Sequence, residues 1–234
     1  MHAADLVTPG GHQMNASKYT LTIRNESSQF KRSAIFPTFR ETTDSAVKPL
    51  PLAWIVGAAA PGYGGQSSNS ELTWRATYNV LIVKSYHLGN DIFQTNSIEI
   101  PISPDDENGY AATYFGDFPF GAPAFAGSMI EREKGYLLIQ SDHKIPPADR
   151  QYEENCFLKV GFSMAGKQAS VADLLPDAFY KFALDPVYRI TIGEFYPGQA
   201  LGEMSVKRSH VINFGTTTKK TIVLGADDTF SDEN

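Results

Sequence analysis

Apolar and polar residues alternate in short runs along most of the chain. The clearest run is Leu72-Thr73-Trp74-Arg75-Ala76-Thr77-Tyr78-Asn79-Val80-Leu81-Ile82, where Leu72, Trp74, Ala76, Tyr78, Val80 and Ile82 share one face. Thr73, Arg75, Thr77 and Asn79 share the other. A period of two predicts a half-buried strand. An apolar run, Leu50-Pro51-Leu52-Ala53-Trp54-Ile55-Val56, comes before it, and the chain turns between them through Gly57 and Pro61-Gly62-Tyr63-Gly64-Gly65. Both tryptophans, Trp54 and Trp74, lie in this pair of runs, which predicts a core built on them and on Tyr78.

Similar patterns recur on either side. Residues 18–24 place Tyr19, Leu21 and Ile23 on one face, and residues 33–39 form a second strand capped by Pro37, followed by a polar loop over 40–48. Further strand material lies at 91–95 and 97–102, where Pro101 marks a sheet edge or a strand end. Residues 135–140, 156–164, 187–192, 210–214 and 221–224 complete the set. Residues 141–154 are charged, contain Pro146-Pro147 and predict a loop. The one helical candidate is 170–184, with Ser170 as a cap and Asp173 three residues later; Pro176 limits it to a turn or two. Short strands between Pro/Gly turns predict an all-β fold, an antiparallel β-sandwich with at most one or two short helical turns. No break in composition and no fixed-period repeat divides the chain. Residues 1–17 therefore read as a flexible arm, 18–226 as one β-sandwich domain and 227–234 as an acidic tail.

Composition narrows the function classes. With 42% hydrophobic and 20% charged residues, the 234-residue chain is globular rather than disordered, and long enough to bury a sizeable core without staples. A formal charge of −6 and a sequence pI of about 5.4 disfavour nucleic acid as a partner. Cys156 is the only cysteine, which excludes an internal disulfide and a cysteine-only zinc site and fits a reducing compartment. The N-terminal residues lack a basic start and an apolar h-region, and no later apolar run is long enough to span a bilayer. The expectation is a soluble cytoplasmic protein without a membrane partner. Asn15-Ala16-Ser17 and Asn25-Glu26-Ser27 have the form of glycosylation acceptors and are expected to be unmodified in that setting.

Several stretches together resemble the rhizosphere-induced protein family, RhiA-like, known from soil bacteria and fungi. They are Tyr19-Thr20-Leu21-Thr22-Ile23-Arg24-Asn25-Glu26-Ser27, Leu52-Ala53-Trp54, Ala59-Ala60-Pro61-Gly62, Leu72-Thr73-Trp74, Val160-Gly161-Phe162-Ser163-Met164-Ala165-Gly166, Ile190-Thr191-Ile192-Gly193-Glu194-Phe195 and Pro197-Gly198. The chain departs from the pattern at 30–48 and 127–154. The resemblance implies a small soluble β protein and brings no established activity.

Candidate chemistry is sparse. Gly161-Phe162-Ser163-Met164-Ala165-Gly166 looks like a nucleophile elbow, but that motif needs a sharp strand-to-helix turn at the serine and an acid and a histidine after it. Ser163 lies inside a continuing alternation and only His210 follows, so no catalytic residue is assigned. The five histidines, His2, His12, His87, His143 and His210, show no metal-ligand spacing, and neither a metal nor a cofactor is expected. His210 reads as a buried, hydrogen-bonded strand residue. Asp105-Asp106-Glu107-Asn108-Gly109 lacks the spacing of a calcium loop and predicts a hairpin turn. The glycines between the tryptophan runs precede a strand, not a helix, so they form no phosphate cradle.

The remaining candidate is aromatic. Tyr110, Tyr114, Phe115, Phe118, Phe120 and Phe125 crowd one glycine-rich stretch, and Tyr63 lies in another loop. Rings that merely close one end of the sandwich would be buried; exposed rings would bind a protein partner, a second copy of the chain in a homo-oligomer, or a glycan. The expectation is a non-enzymatic protein acting through its surface, by self-association or partner binding, with Tyr63, Tyr110, Tyr114, Phe115, Phe118 and Phe120 as contact residues. A lectin-like carbohydrate-binding module is the alternative, and an esterase-like hydrolase around Ser163 the second.

Overall fold

The computed structural model describes residues 17–38, 50–62, 66–88, 91–106, 108–128 and 132–233. Alternation has become strand almost wherever it occurs. The strands are β1 (Lys18–Asn25), β2 (Lys31–Thr38), β3 (Leu50–Pro51), β4 (Ile55–Ala59), β5 (Ser68–Arg75), β6 (Tyr78–Leu88), β7 (Asp91–Ile102), β8 (Asn108–Phe115) and β9 (Ala122–Ser128). After them come β10 (Tyr136–Ser141), β11 (Cys156–Met164), β12 (Lys167–Asp173), β13 (Phe179–Ala183), β14 (Val187–Ile192), β15 (His210–Ile212), β16 (Lys219–Leu224) and β17 (Phe230–Asp232). Among the described residues two short helices interrupt them, α1 (Ala148–Glu153) and α2 (Glu203–Lys207).

Among the described residues the strands form four sheets, ordered β17-β16-β1-β5, β15-β14-β2-β4, β3-β12-β11-β6-β7 and β13-β10-β8-β9, and none closes into a barrel. Pairing is antiparallel except between β1 and β16 and between β8 and β10. Inner faces of all four sheets contribute to one apolar core: Leu21 and Ile23 from β1, Ile190 from β14, Val160 and Phe162 from β11, and Leu137 and Ile139 from β10 are fully buried. The fold is thus all-β, sheets packed face to face, as the alternation predicts.

The tryptophan runs build the core differently from a simple hairpin. The segment 72–82 is two strands. β5 pairs with β1, and β6 pairs with β11 and β7, so the chain changes sheet at Ala76-Thr77. Local bonds fix the corner: Ala76 N–H donates to Ser17 O at 3.2 Å and Ala165 N–H to Thr77 O at 3.0 Å. The period of two survives because the same core lies on both sides of the bend; Trp74, Tyr78 and Val80 are all buried. The run at 50–56 is also divided. Trp54 sits between β3 and β4, its N–H on Ile35 O at 3.0 Å, and β4 pairs with β2 rather than with β5. The two tryptophans therefore meet through their rings, edge to face at 83° with centroids 5.5 Å apart. Tyr188 of β14 stacks on Trp54 and meets Trp74 edge-on. Tyr19 and Phe214 close the cluster. The Trp54 indole N–H donates to Met164 O at 2.7 Å, so this fully buried polar group is satisfied.

Four expectations fail. The helical candidate at 170–184 is β12 and β13 separated by a turn at Pro176; Ser170 to Asp173 pair with β11, and Ala169 to Ala172 are buried on both faces of the strand, where a β-rich run is covered on either side. The helices lie elsewhere: α1 starts after Pro147, inside the predicted loop at 141–154, where proline suits a helix N-terminus, and α2 starts after Gly202. The turn at 105–109 is not a hairpin, since it joins β7 and β8 of different sheets. The segment read as an acidic tail carries β17, which pairs with β16.

Truncating Trp54 to Ala removes the core's largest buried side chain and should cost about 3–5 kcal/mol in urea denaturation. An unchanged midpoint contradicts this packing. Burial pushes the phenols of Tyr180 and Tyr188 up to about 12 each, against an ordinary 10.0. A raised folded-state value favours the neutral phenol, so stability is complete below pH 10 and is lost as pH climbs towards 12. Urea midpoints should be lower at about pH 11 than at about pH 8, with phenolate absorbance appearing as the chain unfolds.

Candidate functional site

The aromatic stretch is a hairpin, not a loop. β8 and β9 pair with Tyr114 opposite Pro123 and Phe115 opposite Ala122, and the turn between them runs from Gly116 to Gly121. Gly116 has φ of 84°, a left-handed conformation that glycine adopts without a Cβ clash. Gly121 N–H donates to Asp117 O at 2.7 Å, and a Cβ on Gly121 would lie 2.1 Å from Phe115 O. Both glycines are therefore required by the backbone path. The peptide bond Phe118–Pro119 is cis.

A buried lysine holds this turn from behind. Lys84 belongs to β6 of another sheet and is only 6% exposed. Its ammonium donates to Pro119 O, to Gly121 O at 2.7 Å and to the Tyr114 hydroxyl at 3.4 Å. The rings of Tyr86 and Tyr114 lie 5.4 and 5.9 Å from it. Tyr86 adds a hydroxyl bond to Pro119 O at 2.9 Å. No carboxylate among the described residues pairs with Lys84; carbonyl dipoles and ring faces compensate its charge. From the α1 side, the Arg150 guanidinium lies 6.0 Å from the Phe118 ring and reaches Phe118 O at 3.4 Å. Burial pushes the Tyr86 phenol up to about 12, and it also raises Tyr114 and the Cys156 thiol. These groups are neutral near pH 7, and the Lys84 and Arg150 cations are both committed to the turn.

The candidate rings divide accordingly. Tyr114 and Phe118 are buried, their centroids 5.6 Å apart, and fasten the turn to the body. Tyr110 is half-buried against Phe125 at 5.3 Å. Phe115 is 56% exposed and Phe120 is 91% exposed. Tyr63 lies outside the described residues. Exposed Asp117 stands beside the phenylalanines. Lys84 was not among the expected residues, yet its signal is in the sequence: continuing the alternation past Val80 and Ile82 places Lys84 and Tyr86 on the core face.

A family model for RhiA matches residues 16–232, nearly the whole chain. The chain belongs to the RhiA family. No curated protein and no solved structure matches it significantly.

In this RhiA-family chain the other candidates have structural partners. Ser163 is fully buried within β11; its hydroxyl donates to Glu99 Oε2 at 3.0 Å and accepts from Asn79 Nδ2 at 3.2 Å. No histidine bonds to it among the described residues. His87 packs on Phe157 at 4.4 Å, and His210, half-buried as a strand residue, meets Asp232 at 3.3 Å. Among the described residues no group of three His, Cys, Asp or Glu is placed to hold a metal, and no helix is long and apolar enough to cross a membrane.

Replacing Lys84 with Met keeps the stem and deletes the ammonium, leaving carbonyls of the turn without donors. The variant should lose about 1–3 kcal/mol of stability, and the Gly121 amide should exchange faster. An unchanged Gly121 exchange rate contradicts the role assigned to Lys84.

Proposed function

We propose that this protein acts without catalysis, through contact between its surface and that of another molecule, most directly a second copy of itself. One observation carries the reading: Phe120 stands 91% exposed at the tip of a turn secured from behind. A large apolar ring in water is unfavourable by itself, and burying it in an interface recovers that loss. Preorganisation adds to this, because the turn gives up little freedom on binding. Phe115, exposed at the start of the same turn, widens the apolar tip, while Tyr114 and Phe118 support it. The acid–base groups behind the turn are neutral or already bonded, which suits a contact surface better than a reaction centre.

A lectin-like role is the second reading, supported by Asp117 beside the exposed rings. A ring face stacks on a sugar while a carboxylate accepts its hydroxyls. Sedimentation velocity separates the two. The wild type should sediment as an oligomer and F115S/F120S as a monomer of unchanged melting temperature. A wild type that stays monomeric at about 100 μM, well above the affinity of a standard-sized interface, contradicts self-association. Glycan-array binding that F120S abolishes would then favour the lectin.

A further inference from the structure

The outer face of the β17-β16-β1-β5 sheet, a different sheet from that of the aromatic turn, carries a groove of about 380 Å³. Its floor follows from strand register. Thr20 of β1 lies between Thr73 of β5 and Lys219 of β16, and Thr22 lies between Glu71 and Thr221. Alternation turns Leu21 and Ile23 into the core, so these polar residues point outwards together. The volume suits a small ligand, but the lining does not suit an apolar one: it consists of lysines, threonines and a glutamate.

Charge is unevenly distributed over this face. Lys220 is paired with Asp232 at 3.3 Å, and Arg24 is neutralised by Glu26 at 3.1 Å and by Glu233. Lys18 and Lys219 form no ion pair among the described residues, and Arg75 stands opposite Lys18 in the register. Among the described residues these cations are unneutralised, on a chain whose net charge is −6. Glu71 lies on the other side, accepting from Thr73 at 3.3 Å. A ligand would meet cations at one end, and hydroxyls with one carboxylate at the other. That asymmetry disfavours a simple polyanion, which Glu71 would repel, and a neutral sugar, which would leave the lysines unused.

We propose that this groove binds a small hydroxylated anion, a sugar acid or a sugar phosphate. Its anionic group lies between Lys18 and Lys219, and its hydroxyls lie on Thr20, Thr22, Thr221 and Glu71. Lysine supplies point charges for carboxylate or phosphate, and threonine hydroxyls both donate and accept.

Amide chemical-shift titrations of the full chain test this with four probes: glucuronate, glucose 6-phosphate, glucose and inorganic phosphate. At least one of the two charged sugars should shift Thr20, Thr22, Lys219 and Thr221, and which one does identifies the anion. Glucose and inorganic phosphate should bind at least about tenfold more weakly. Binding should also weaken between about 0.01 and 0.15 M salt, as the Debye length falls from about 30 to about 8 Å. K18A/K219A, exposed changes that should leave the melting temperature intact, should lose about tenfold in affinity. Three results overturn the proposal: neither charged sugar shifts these amides, glucose or phosphate alone binds as well, or K18A/K219A binds like the wild type.

Discussion

The Trp54 indole holds together parts of the chain that share no backbone ladder. Its N–H bonds to Met164 at the end of β11, and its ring meets Trp74 of β5 and Tyr188 of β14. Three sheets thus converge on one side chain. The fourth is reached through Phe162 of β11, whose ring meets Phe182 of β13 edge-on at 5.8 Å. A buried indole without an acceptor would carry a desolvation penalty, so the Met164 carbonyl is a constraint as well as a contact. Aromatic edge-to-face geometry then limits the angles at which the sheets meet.

A core fixed in this way leaves its surfaces free to differ. The β8–β9 turn is bound to the neighbouring sheet by Lys84, an inward-facing cation whose ammonium meets the turn's carbonyls. The result is a rigid support with phenylalanine at its tip. The Lys/Thr groove relies on the opposite arrangement, outward-facing residues of β1, β5 and β16 held in register by the strand ladders. One surface is apolar and convex, the other polar and concave, and each lies on a different sheet.

Much of the fold was legible because the period of two is local. β11 spans residues 156–164 as its alternation predicts, and Trp54, Trp74 and Tyr78 are buried as their runs predict. The corner at Ala76-Thr77 was not legible, because a strand that changes sheet around one core keeps its alternation. β12 read as a helix because Ser170 and Asp173 imitate a capping box. β8 and β9 escaped notice because alanine and glycine blur the contrast between faces. At the candidate site, the sequence marked the aromatic crowd but not its division into buried Tyr114 and Phe118 and exposed Phe115 and Phe120. That division depends on Lys84, thirty-odd residues away and on another sheet.

Hydrogen exchange of the Trp54 indole N–H, followed by NMR under native conditions, tests the central role of this residue most directly. If the indole joins the sheets as described, its proton exchanges only when the whole molecule unfolds, with an opening free energy equal to the global stability. Exchange through a local opening of much lower free energy, while the core strands stay protected, would contradict the account.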